Sequence, residues 1–216
     1  MFLNKIYYKG EKTMKKLAIF LVLICLVFAG CNTETTTVNP LPDETMENLT
    51  DAILSVSLEE GGAYVDDSGI MQMNLKIYSY DKYDMVDIAN LKVGDIIVTH
   101  SGEVEIASIE TSETGTVYIN GGLENGGFDL VTDECGIYFE TGFDDAKNWY
   151  EVGEATIRVS TDFIGTDNID PYAGEVILYP GSFLVGEVTN YDFTPFNTTV
   201  RVEEGQIVEL VRIANP

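Results

Sequence analysis

His100 is the only histidine in a chain of 216 residues that carries 36 acidic and 12 basic side chains. That count excludes multi-histidine metal centres and leaves a serine–histidine–acid triad with one candidate base. Ser101 adjoins His100. Neighbouring residues of a strand face opposite sides of the sheet, so the pair is not expected to act as nucleophile and base, and His100 reads as a turn residue. No G-x-S-x-G elbow and no phosphate-cradling G-x-x-x-x-G-K-[ST] loop occurs. On these grounds no catalytic residue, metal ligand or cofactor is assigned.

The remaining patterns are weak. Ser79-Tyr-Asp-Lys82 spells S-x-x-K, but it follows a strand pattern, and the S-D-N and K-T-G elements of penicillin-recognising enzymes are missing. Asp84 with Asp87, or Asp144 with Asp145, could form the carboxylate pair of a glycosidase. In so acidic a chain such pairs arise inevitably. Asp162, Asp167 and Asp170, with Glu175 beyond, gather hard oxygen ligands in one expected loop that could take Ca²⁺, although the D-x-[DN]-x-[DN]-G signature is absent. Tyr138, Phe139, Phe143, Trp149 and Tyr150 cluster in sequence, and Tyr172, Tyr179, Phe183, Tyr191, Phe193 and Phe196 follow. Such rings could stack on sugars, but aromatics also favour strands and fill cores. Cys135, next to two acids in Thr-Asp-Glu-Cys-Gly, reads as a small buried hydrophobe and a poor nucleophile.

At the N-terminus Lys15 and Lys16 precede an unbroken apolar run of 13 residues, Leu17 to Ala29. This length suits a signal-peptide core and falls short of the roughly 20 residues needed to span a bilayer. Phe28-Ala29-Gly30-Cys31 resembles the lipobox of bacterial lipoproteins, departing from it at Phe28, where Leu is commoner. The resemblance covers Met14 to Cys31 and implies cleavage before Cys31 and diacylglycerol on its sulfur. Two or more acyl chains, at about 0.8 kcal/mol per buried methylene, hold such a protein to a membrane effectively permanently. Residues 1–30 are therefore expected to be signal peptide. Residues 1–13 are expected to lie upstream of the true start, Met14, because Lys9-Gly-Glu-Lys-Thr13 is what a translated purine-rich ribosome-binding site would give. That points to a Gram-positive source, with the anchor on the outer face of the cytoplasmic membrane.

Cleavage there would remove five basic residues and one acidic residue, leaving 7 against 35, a net charge of about −28. Such a field repels nucleic acid. With 45% hydrophobic and 11% aromatic residues the chain is nonetheless no disordered polyanion. Cys31 to Pro42 reads as the lipidated residue plus a flexible Thr- and Pro-containing tether.

Residues 43–216 read as a single β-rich domain, with two subdomains dividing near 122–128 as the alternative. Asp43 to Leu54 has helical spacing behind a capping Asp and reads as a short helix or a strand entry. Beyond it period 2 dominates, as in Met71-Gln-Met-Asn-Leu-Lys-Ile77. Strands are expected near 96–100, 103–110, 116–120, 137–140, 156–161, 175–179, 182–189, 198–203 and 206–213, separated by glycine turns. The fold class is all-β, an antiparallel barrel or sandwich with at most one short N-terminal helix. The expected function is that of a non-catalytic binding or structural module of the cell envelope, with glycan, Ca²⁺ or an envelope protein as partner. An envelope hydrolase or glycan-binding protein using carboxylates and exposed aromatics is the alternative.

Overall fold

The alternation around Met71 to Ile77 is that of a strand with one buried face, and the computed structural model, which describes residues 35–142, 146–170, 172, 174–184 and 193–213, bears this out. In β4 (Met71–Ser79) Met73, Leu75, Ile77 and Ser79 are buried while the residues between them are not. The elements before it are β1 (Thr37–Val38), β2 (Ala52–Ser57) and β3 (Ala63–Val65). After it come β5 (Lys82–Tyr83), α1 (Met85–Asn90), β6 (Ile96–Thr99), β7 (Gly102–Glu105), β8 (Ile109–Thr111), β9 (Val117–Ile119), β10 (Phe128–Thr132) and β11 (Tyr138–Thr141). The chain continues through β12 (Tyr150–Asn168), β13 (Val176–Leu178), α2 (Pro180–Leu184), β14 (Thr198–Glu203) and β15 (Gln206–Ile213). The all-β expectation holds.

Residues Thr37–Pro216 form one compact unit, and within its described residues two apolar cores are found. The larger fills a closed barrel in which β2 pairs with β4, β4 with β12, β12 with β15, β15 with β14, and β14 again with β2. Only the β12–β15 pairing is parallel. Taken along the chain the five barrel strands run in the order 1-2-3-5-4, with the third and fifth parallel, which is the connectivity of an OB-type Greek-key barrel. This describes the fold and assigns no function. Val56, Leu75, Ile77, Val200, Ile207 and Leu210 are among the side chains that fill it.

The chain leaves the barrel after its second strand and returns at its third, and the second core is built from this insertion together with β1. A five-stranded sheet, β5-β11-β10-β9-β8, and a three-stranded sheet, β1-β6-β7, enclose Val38, Tyr83, Ile97, Ile106, Ile119 and Leu130. A Cβ on Gly127 would lie 1.9 Å from the Ile119 carbonyl oxygen, so the β9–β10 connection closes only around a glycine.

Several expectations are corrected. Of the two readings of Asp43 to Leu54 the strand entry holds, with a turn at 45–47 and β2 from Ala52, and both short helices lie elsewhere, at α1 and α2. Asp84 caps α1 by accepting from the Val86 amide at 2.7 Å, a role its isolated sequence position hid. Residues 182–184 belong to α2, not to a strand, and 185–189 lie outside the described residues. Residues 162–167 are strand, because β12 runs for 19 residues. The flexible tether does not extend to Pro42. Thr37 and Val38 pair with Ile96 and Ile97, Val38 is buried, and the Leu41 amide donates to the Lys82 carbonyl. The structured insertion runs between β4 and β12, and residues 122–128 lie within it rather than at a boundary.

One ion pair is buried in the barrel. Asp167 on β12 stands beside Arg212 on β15 across the parallel pairing. Arg212 is fully buried and donates through Nε (3.1 Å) and Nη2 to the two Asp167 oxygens. Its guanidinium also lies 4.4 Å from the Phe193 ring centre. Removing one partner strands a charge in an apolar setting, so Asp167→Ala is expected to cost about 3–5 kcal/mol of unfolding free energy in urea titrations. The double variant Asp167→Leu/Arg212→Met should recover most of it. Equal stability of Asp167→Ala and the parent would contradict this account.

Candidate functional site

The two crossings between barrel and insertion bring together side chains far apart in sequence. Asp81 lies on the outgoing crossing, just beyond β4, and Tyr150 opens β12 on the return. His100 and Ser101 form the turn of the β6–β7 hairpin, whose register pairs Thr99 with Gly102. Glu140 comes from β11.

Asp81 is buried and organises the group. Its Oδ1 accepts from the Tyr150 hydroxyl at 3.0 Å and its Oδ2 from the His100 amide at 2.6 Å. The His100 ring stacks on Tyr150, with centres 4.5 Å apart and planes 16° from parallel. That places Nδ1 3.4 Å from Asp81 Oδ2 and leaves Nε2 3.1 Å from Ser101 Oγ. Glu140 Oε1 accepts from the Asn148 amide at 2.8 Å. One ligand atom each from Asp81, His100 and Glu140 falls within 4.8 Å of the other two. Beside them Lys147 lies 4.2 Å from the Tyr80 ring centre, and Tyr80 meets Trp149 and Phe139 edge-on.

Burial raises the Glu140 carboxyl above its usual range, and Asp81 adds to the rise, while Asn148 and His100 oppose it. Burial and the neighbouring Asp81 also push the Tyr150 and Tyr83 hydroxyls well above an ordinary phenol. Both therefore stay protonated, and each acts as a donor: Tyr150 to Asp81, Tyr83 to the Val98 carbonyl at 2.9 Å.

The expectation that His100 and Ser101 point apart is overturned, since the two sit in a turn, where strand alternation does not apply. Asp81, His100 and Ser101 thus follow the order of a charge-paired triad. The Ser101 amide, however, donates to Thr99 Oγ1 at 3.2 Å and so is not free to stabilise the oxyanion of a substrate carbonyl attacked by the Ser101 hydroxyl.

The other sequence candidates scatter. Ser79 and Lys82 lie on successive strands, without the helix start that S-x-x-K chemistry needs. Asp144 and Asp145 lie outside the described residues. Asp162 is exposed, whereas Asp167 is buried against Arg212, so the anticipated Ca²⁺ ligands do not converge. The aromatic run divides: Phe139, Phe183 and Phe193 are core, Tyr172, Tyr179 and Phe196 are exposed, and Phe143 and Tyr191 lie outside the described residues. Cys135 is exposed in a turn, with its amide donating to Asp133 Oδ1, because the β10–β11 connection carries it past the core. Cys31 also lies outside the described residues.

Sequence reasoning missed Asp81 and Glu140 as neighbours of His100. The only local signal was the glycine after Thr-His-Ser, which marks the hairpin turn. No family model matches the chain, and no curated protein or solved structure matches it.

A carboxyl whose folded pKa is raised holds its proton more tightly in the native state than in the unfolded one, so it lowers stability as pH rises through and above the usual carboxylate range. Glu140→Gln mimics the protonated form. In EDTA, denaturant titrations from pH 4 to pH 8 should show a smaller loss of stability with rising pH for the variant than for the parent. Parallel profiles would show that Glu140 is not destabilised by its surroundings.

Proposed function

We propose that this protein is a bacterial surface lipoprotein, anchored through acylated Cys31 to the outer face of the cytoplasmic membrane of a Gram-positive cell, and that its β body is a non-catalytic module that binds another envelope protein. The lipobox-like Phe28-Ala-Gly-Cys31 behind 13 apolar residues supports the anchor. Among the described residues no helix is long and apolar enough to cross a membrane. Thr37, where pairing begins, is six residues beyond Cys31. At about 3.3–3.6 Å per residue, a lipid on Cys31 would keep the body within roughly 20 Å of the acylated residue. The module would therefore meet partners close to the membrane surface. Its acidic charge would keep nucleic acid away and favour basic or neutral protein surfaces.

The observation that carries the binding reading is the edge of the barrel sheet at β13. Among the described residues β13 pairs only with β12, and Val176 and Ile177 on it are exposed. Tyr172, Tyr179 and Leu184, exposed nearby in sequence, extend the apolar character of this segment, Tyr172 being 97% exposed. An unpaired, apolar strand edge offers backbone hydrogen bonds and side-chain contacts to a partner strand. Of the sugar-stacking candidates, Phe139, Phe183 and Phe193 are buried, and the exposed Tyr172 and Tyr179 flank this same edge in sequence.

Two measurements test this. Mass spectrometry of the native polypeptide should find a diacylated cysteine, residue 31, as its first residue, and any other start removes the anchor. A photocrosslinking residue at Ile177 in the membrane-held protein should capture one defined envelope protein, and Tyr179→Lys should abolish capture without lowering the melting temperature. Capture no greater than from a control position at Glu113, on the inserted sheet, would refute the binding edge.

A further inference from the structure

We propose that Asp81, His100 and Glu140 form a binding site for one divalent first-row transition ion of the Zn²⁺ class. The inference is independent of both the lipid anchor and the β13 edge.

Three features carry it. The first is the donor set. One imidazole nitrogen and two carboxylate oxygens, from three separate segments, converge within 4.8 Å of one another. Zn²⁺ sits about 2.0–2.2 Å from such atoms, so two ligands of one ion stand at most about 4.4 Å apart. An inward shift of a few tenths of an ångström by the half-buried Glu140 side chain closes the difference. An imidazole in the set selects against Ca²⁺ and Mg²⁺, which prefer all-oxygen shells, and for Zn²⁺ and its neighbours such as Co²⁺ and Ni²⁺.

The second feature is the outer support. Metal-bound histidines are typically held by a hydrogen bond on the ring nitrogen that does not bind metal. Ser101 Oγ is 3.1 Å from Nε2. With Nε2 as the donor, Nδ1, 3.4 Å from Asp81 Oδ2, is left with a lone pair for a metal. The Tyr150 stack fixes the ring plane, the Tyr150 hydroxyl and the His100 amide fix Asp81, and Asn148 holds one oxygen of Glu140.

The third feature is charge. His100 Nδ1 and Asp81 Oδ2 are 3.4 Å apart, beyond a good N–H···O hydrogen bond. A cation set between the two carboxylates and this nitrogen, with Asp81 buried, would balance them together. A proton on Nδ1 would satisfy Asp81 alone. A divalent ion satisfies all three atoms at once.

Because His100 is the only histidine, its imidazole nitrogens are identified without assignment work in the full-length, untagged chain. After stripping with EDTA, titration with ZnCl₂ should show one ion bound per chain by calorimetry. The ¹⁵N resonance of Nδ1, rather than Nε2, should move to the metal-bound position. Co²⁺ in its place should give visible absorption bands of a four- or five-coordinate site. His100→Ala and Glu140→Gln should each weaken Zn²⁺ binding at least 100-fold. Ser101→Ala, exposed and outside both cores, should weaken it about 10-fold, as loss of an outer-shell partner does, and serves if the other variants unfold. No binding by the parent, equal binding by His100→Ala, or a Zn²⁺-dependent shift at Nε2 alone would each overturn the assignment. An Nδ1 that only takes up a proton as pH falls, unaffected by ZnCl₂, would show a histidine–aspartate ion pair instead.

Discussion

Strand β12 must pair with β4 along its first part and with β15 along its second, and the closure of the barrel depends on its doing so. Backbone amides and carbonyls of a buried strand have to be paired on both sides. Over its first part β12 pairs with β4 in antiparallel register, and over its second with β15 in parallel register, with Arg158 shared between them. A flat strand cannot serve both, and the register shifts between Glu151 and Gly153 and between Val159 and Ile164 provide the bend. Burial on the odd positions is lost at Thr161 and resumes at Phe163, as expected of a strand that twists while keeping its core face inward. Gly165 allows the final approach, since a Cβ there would fall 2.8 Å from Leu178 Cβ on β13.

The two ends of this strand hold the two polar groups that most constrain the fold. At its start Tyr150 places its ring against His100 and its hydroxyl on Asp81. Near its end Asp167 meets Arg212 inside the barrel. The physics differs between the ends. The Asp167–Arg212 pair is charge-balanced and closed off from water, which suits a fixed structural role. The junction gathers two acids and one imidazole in a partly exposed position, the donor set on which the proposed cation site rests. Separate cores on either side give that junction a firm setting, because β4 and β12 belong to one core while β6 and the sheet containing β11 enclose the other. Asp81 and His100 sit on short connections anchored at both ends by packed strands, and Glu140 on a strand itself, which holds their geometry better than free loops would.

Much of the barrel was legible in the chain. Met71 to Ile77 announces its pleat because a half-buried strand forces alternation, and 198–203 and 206–213 are separated by the Glu204-Gly205 turn, both of whose residues adopt positive φ. The length of β12 was hidden, since Asp162 and Asp167 look like a solvated loop when their partners are unknown. Helix α2 was hidden too, because Phe183 packs among Phe163 and Phe193 and aromatic content reads as strand. Val38 lies in what composition marks as tether, and only its place beside Ile97 reveals it as core.

By itself the sequence determined the class of fold, the acidic surface, the lack of any disulfide within residues 32–216, and a histidine count that limits a metal site to one imidazole. Those follow from composition and short-range periodicity, which the chain carries in order. The tertiary structure alone decided that Asp81, His100 and Glu140 meet, that Ser101 turns toward the imidazole, and that Asp167 faces Arg212 rather than water. Such meetings depend on strand register and on where the chain leaves and re-enters the barrel. Register is set by summed packing over many pairs, so no local spacing records it.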